Sequence, residues 1–250
     1  MPTRQNWFDG WRLFALLALT LLSLSIWIAG MRGFEVDGVR MVIRFTARTS
    51  LVLFCLAFSA AALALMWPNA WTRWLRRNRR YLGVSFAASH AIHAVAIAAF
   101  AVMDPAGYAA ATSIASYIFG GIGYAFITAM TATSFDRTAA AIVAFAVMDP
   151  AAYAAATSLA SYIFGGIGYA FIIAMTATSF NRTAAALGAR AWRMLHISGG
   201  YYLLFQFMVS FGKRIPDMPL YALFLIPLVA VFALRMIAMA PRARAAARTG

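Results

Sequence analysis

Long apolar runs alternate with short arginine-bearing segments along the chain. Runs at residues 13–30, 49–67, 81–103, 108–133 and 153–178, a span that opens near residue 190 and continues to about Gly212, and one at 218–239 each hold eighteen or more residues. At 1.5 Å per residue each approaches or exceeds the ~30 Å needed to cross hydrocarbon as a helix. The pattern predicts an all-α, polytopic transmembrane helical bundle, read as a single membrane domain over residues 1–250. Pro68-Asn69 ends the second run, and Asp104-Pro105 ends the third, because a residue before proline is pushed out of the α region.

The runs after the third are unusual. Residues 97–141 recur at 142–186, and only Ala98/Val143, Gly107/Ala152, Ile114/Leu159, Thr128/Ile173 and Asp136/Asn181 differ. Such near identity points to one copying event in the coding sequence; solenoid repeats share only a pattern. Each copy holds the tail of one helix, a turn, a complete span and a short polar loop. Glycines 120, 121 and 123, and again 165, 166 and 168, sit mid-span, where small residues let helix backbones approach. Copying adds one full span and a ten-residue tail at 139–148, ~15 Å as a helix. The expectation is about eight membrane segments, the fifth short and locally thinning the bilayer or re-entering.

Composition supports this reading. Hydrophobic residues make up 64% of the chain and charged residues 11%, under half of the roughly 25% of a soluble domain. The net charge of +14 does not point to nucleic acid, because the arginines lie between apolar runs, where they orient helices and meet lipid head groups. Arg73, Arg76, Arg77, Arg79 and Arg80 crowd residues 68–80 with no acid, so that segment is expected in the cytoplasm. Arg242, Arg244 and Arg248 place the C-terminus on the same side, and the N-terminus follows. The segment at 32–48, with four arginines and two acids, then lies outside, against the rule. Arg235 is expected to snorkel to the head groups. The single cysteine, Cys55, excludes an intrachain disulfide and reads as a packing residue. The first run exceeds a usual signal-peptide core and suits a retained span.

Few groups are left for chemistry. The seven carboxylates lie outside or at the ends of runs, and none is paired for buried acid–base work. What remains is His90, His93 and His196. An ionisable side chain within the membrane is costly and marks a functional position by default. Neutral imidazole is an iron ligand, and histidines on facing helices can hold a haem between them. The alternative is a histidine hydrogen-bonded to a neighbouring helix. His90 and His93, three apart, lie near one face.

These residues carry a resemblance. Arg79-Arg80-Tyr81-Leu82-Gly83, with His93 ten residues after the glycine, resembles the third-helix motif of the ferric reductase-like transmembrane family. The nearest likeness is to the haem-binding membrane subunits of periplasmic methionine sulfoxide reductase systems. Leu187-Gly188 followed by Trp192-Arg193-Met194-Leu195-His196 is similar to the opening of the fifth helix there. The stretch from Lys213 through Pro219-Leu220-Tyr221 to Arg235 is similar to the last loop and helix. The resemblance implies a core of about six helices in the bacterial inner membrane. It implies b-type haem, with His93 and His196 matching the iron ligands, and an electron-transfer role between a cytoplasmic flavin-dependent donor and a periplasmic acceptor. Where those proteins have a further histidine, Val209 stands here, so one haem is expected. By depth, His93 lies ~16 Å into its span and His196 ~9 Å into its own, which keeps His90, one turn nearer the cytoplasm, as the alternate ligand. Arg193, one turn from His196, is the candidate propionate partner, with an interface anchor as its other reading. A cofactor-free membrane scaffold and, less well supported, a transporter are the competing functions.

Overall fold

The computed structural model describes residues 8–110 and 159–246. The first copy's span and glycines, the second copy's first residues, the short segment at 139–148, Asp136, Asp149 and Arg248 lie outside them. The described residues are helical, with no strand, and four helices are long and apolar enough to cross a membrane. The order is α1 (Gly10–Gly30), α2 (Val36–Met66), α3 (Ala70–Met103), α4 (Pro105–Ala110), α5 (Leu159–Ala177), α6 (Asn181–Leu187), α7 (Ala189–Gly212), a 3₁₀ turn (Pro219–Tyr221) and α8 (Ala222–Ala246). Two compact units result, one of residues 1–94 and 214–250, the other of residues 95–213.

The first unit is built on α2, and here the structure corrects an expectation. Residues 36–48 are helix, and the loop expected at 32–48 shrinks to a turn at 31–35. Gly33 and Phe34 take positive φ in that turn. A Cβ on Gly38 would stand 2.9 Å from the Ala29 carbonyl oxygen, so glycine lets α1 and α2 close together there. Gly38, Val42, Thr46 and Ser50, four apart, are buried, while Arg44 and Arg48 are exposed and Arg40 half-exposed on another face. The helix thus hides a core stripe that its arginines conceal from a hydropathy reading. Cys55 is buried in α2.

The turn into α3 is a reciprocal cap. The Thr72 N–H donates to Asn69 Oδ1 at 2.9 Å, and the Asn69 N–H donates to Thr72 Oγ1 at 3.0 Å. From it α2 and α3 run antiparallel, with Phe54 against Phe86, Ser50 against Ser89 and Thr46 against His93. The start of α1 is tied to α3 by buried Asn78, which donates to Asp9 Oδ1 at 2.7 Å and accepts from the Gly10 N–H at 2.9 Å. Arg77 pairs with Asp9 at 3.5 Å, and the Arg80 guanidinium lies 5.7 Å from the Trp11 ring centroid. α8 runs parallel to α2, because Arg48 meets Phe224 and Arg235 meets Phe58 at nearly the same sequence offset. Arg235 is held against α2. It donates to the Phe58 carbonyl at 3.1 Å and stacks 4.0 Å over that ring's centroid.

In the second unit α3 ends at Met103, and Asp104 Oδ1 accepts the Gly107 N–H at 2.8 Å. The short polar loop expected at the end of the second copy is largely the helix α6, and Gly188 at φ +80° separates it from α7. α5 packs on α7. The close approach comes from Gly199, where a Cβ would lie 2.6 Å from Met175 Sδ and 2.8 Å from Phe171 Cδ1. Gly165 and Gly166 have nothing within 4 Å, so two of the three glycines of this copy do not make the contact.

Candidate functional site

α2 and α3 share a ladder of buried hydroxyls. Ser50 Oγ donates to Ser89 Oγ at 2.9 Å, Thr49 Oγ1 lies 3.1 Å from the same oxygen, and Ser89 donates to the Thr46 carbonyl at 3.3 Å. One turn further along α2, Thr46 Oγ1 is 2.9 Å from His93 Nδ1. Thr46 is fully buried and its hydroxyl hydrogen is directed at the Val42 carbonyl, 2.7 Å away. A hydroxyl has one hydrogen, so toward His93 it acts as acceptor and Nδ1 carries the proton. Neutral imidazole then keeps its lone pair on Nε2. The same logic holds in the second unit. Thr178 Oγ1 donates to the Ala174 carbonyl at 2.7 Å and lies 3.2 Å from His196 Nε2. There Nε2 carries the proton, and Nδ1 is the nitrogen left with a lone pair.

His196 is also held by Trp192, whose ring stacks on the imidazole at 4.2 Å and 27°. Trp192 Nε1–H donates to the Thr178 carbonyl at 3.0 Å. Thr178 therefore fixes both rings, one through its hydroxyl and one through its carbonyl. His90 sits between Phe86 and His93, with ring centroids 4.8 and 5.6 Å away. The structure thus brings His90 and His93 together in the first unit, and His196 belongs to the second. Arg193 is exposed on α7.

Sequence reasoning missed the residues around His93. Arg214 is the cation acting most strongly on that imidazole. Its Nη1–H donates to the Tyr221 hydroxyl at 3.3 Å, and its guanidinium lies 5.5 Å from the Tyr221 ring centroid. Arg48 interacts with the same hydroxyl and stacks 5.4 Å over Phe224. Thr46 and Arg48 were hidden because residues 32–48 read as a loop; Arg214 lies just before the last run and Tyr221 at its start, with no local signal of a partnership.

Among the described residues no three His, Cys, Asp or Glu side chains gather into a metal-holding group. Axial ligation of a haem asks for less, two histidines each with one lone pair presented and the other nitrogen bonded. Each of His93 and His196, taken in its own unit, has one nitrogen held by a threonine hydroxyl, and Arg48 and Arg214 are suited to carboxylates. The residues present therefore fit the group. No protein-family model matches the chain, and no curated protein matches it.

Proposed function

We propose that this chain is a ferric reductase-like b-type haem protein that carries electrons across the bacterial inner membrane. The donor would be a cytoplasmic flavin-dependent reductase and the acceptor a periplasmic protein. The observation that carries the reading is the Thr46–His93 pair, in which a buried hydroxyl fixes the imidazole tautomer and leaves Nε2 able to ligate. Thr178 does the corresponding work for His196. In this reading His93 and His196 are the ligands, with His90 the alternate. Arg48, Arg214 and Tyr221 take over the propionate role expected of Arg193. When bound, the haem supplies one-electron chemistry. The chain's own residues orient the ligands, keep water from them and neutralise the carboxylates.

The parallel run of α2 and α8 supports an even number of crossings, since α2 is the second crossing and α8 the last. That favours eight segments with both termini in the cytoplasm over an odd count. A cysteine placed at the C-terminus and labelled only from the periplasmic side would sink this. The haem itself is tested by a reduced-minus-oxidised spectrum of protein expressed with ample haem. A six-coordinate low-spin b spectrum is expected, lost in His196→Ala and in one of His93→Ala or His90→Ala.

A cofactor-free scaffold is the second reading, and one observation favours it. The Ser50–Ser89–Thr49 ladder uses the same hydroxyl chemistry simply to join α2 to α3. Colourless protein under haem-replete expression would leave this reading standing.

A further inference from the structure

The turn at residues 67–69 leads to a convergence of guanidinium groups that the haem reading does not use. Phe58 lies eight residues before the end of α2 and Arg79 nine residues after the start of α3, which sets them ~12 and ~14 Å from the shared turn. Arg235, fixed on Phe58 by its hydrogen bond and ring contact, therefore lies at the level of Arg79. The charges that act most strongly on Arg79 are those of Arg235 and Arg76, both of its own sign. Arg79 and Arg235 are half-buried and Arg76 is exposed. Cations brought together at a partly desolvated level repel unless an anion joins them. After Arg80 the chain runs apolar, so this level is the edge of the hydrocarbon. On α8, Phe232, Met236 and Met239 share the face of Arg235 at helical spacing and are 40%, 47% and 39% exposed.

We propose that Arg76, Arg79 and Arg235 bind the phosphate of an anionic phospholipid, one of whose acyl chains lies along Phe232, Met236 and Met239. The guanidinium fork suits phosphate oxygens, and basic pockets between helices at this membrane face are suited to anionic head groups. A soluble phosphate would match the arginines but not the exposed apolar face beside them. The site does not depend on haem.

The test uses the full chain, purified in detergent and studied by native mass spectrometry. Phosphatidylglycerol and phosphatidylcholine are titrated in parallel, with glycerol 3-phosphate as competitor. Wild type should retain phosphatidylglycerol in preference to phosphatidylcholine. Arg79→Gln/Arg235→Gln should weaken phosphatidylglycerol binding roughly thirtyfold, as expected when two cationic contacts are lost. Arg76→Gln/Arg79→Gln leaves the Arg235–Phe58 contact in place and should show a loss of similar size, which covers the case in which removing Arg235 disturbs folding. Equal retention of the two lipids, or unchanged affinity in the second variant, would overturn the site. Displacement of the lipid by glycerol 3-phosphate at matched concentration would overturn the lipid as its ligand in favour of a soluble phosphate.

Discussion

Thr46→Val is the perturbation that bears most directly on the site. Valine keeps the β-branched shape and removes the hydroxyl oxygen that accepts from His93 Nδ1–H, leaving the Ile43 carbonyl as the ring's backbone acceptor. Thr46 is 0% exposed, so water cannot take the hydroxyl's place. A net hydrogen bond contributes about 0.5–1.5 kcal/mol, and a buried donor left without its acceptor costs about 1–3 kcal/mol. Interhelical bonds inside membrane proteins average lower, ~0.6 and at most ~1.7 kcal/mol. Weighing these, the substitution should destabilise the protein by about 1 kcal/mol. Loss of the back-bond to Val42 acts in the opposite sense on the helix. A double-mutant cycle with His93→Phe cancels that contribution and isolates the pair. Unfolding in a graded denaturing detergent should give a coupling of ~1 kcal/mol, above the ~0.3–0.5 kcal/mol within which independent sites add. Imidazole nitrogen-15 shifts should report the Nδ1–H tautomer in the wild type and a mixture in Thr46→Val. A coupling within the additive range, or a wild-type shift showing Nε2–H, would refute the donor assignment on which ligation by Nε2 rests.

Four further outcomes follow. Gly199→Ala should lower stability by about 1–3 kcal/mol in the same unfolding assay, since its methyl must displace Met175 and Phe171. Gly165→Ala should be neutral or stabilising by up to ~1 kcal/mol, because its Cβ meets nothing within 4 Å and the helix gains propensity. Thr178→Val should broaden the orientation of His196, read as a mixed imidazole tautomer by nitrogen-15 shifts, with Trp192 fluorescence little changed because the Thr178 carbonyl still accepts its N–H. Deleting 142–186 should leave a protein at least as stable as the full chain, with the proposed haem uptake retained; failure of the deletion variant to accumulate would show that the second copy is a working part.

What the sequence disclosed and what it hid have physical causes. Pro68-Asn69 and Asp104-Pro105 punctuate the backbone locally, and the helices end where those residues place the ends. The long run after Arg80 needed no tertiary information either. The start of α2 was hidden because hydropathy averages all faces. Arg40, Arg44 and Arg48 outweighed Gly38, Val42, Thr46 and Ser50, although the two sets lie on different faces of one helix. Thr46 vanished with that helix, and so did half the case for His93. The part of Gly199 could not be read because its reason is Phe171 and Met175, two dozen or more residues away. Arg235 reads as a snorkelling residue on its own helix, and only the neighbouring carbonyl of Phe58 shows what holds it.

The two copies turn the α5–α7 contact into a question of connectivity. α5 meets α7 through Gly168 against Tyr202, Phe171 and Met175 against Gly199, and Thr178 against His196. The first copy carries the same residue types at Gly123, Phe126, Met130 and Thr133. Of the positions that differ, Ile173 is 64% exposed and Asn181 is exposed as well, so neither decides the contact. One α7 therefore faces two sequences able to make the same contacts, and surface chemistry cannot choose between them. Chain length can. Eleven residues link Ala177 to Ala189, and 56 link Ala132 to the same point. Closure cost grows as (3/2)RT ln n, so the longer link is disfavoured by about 1.4 kcal/mol, roughly tenfold. The second copy's place on α7 in the structure is the outcome that difference favours. Removing residues 142–186 shortens the first copy's link to the same eleven residues, and the preference then passes to the first copy with no change of contact chemistry.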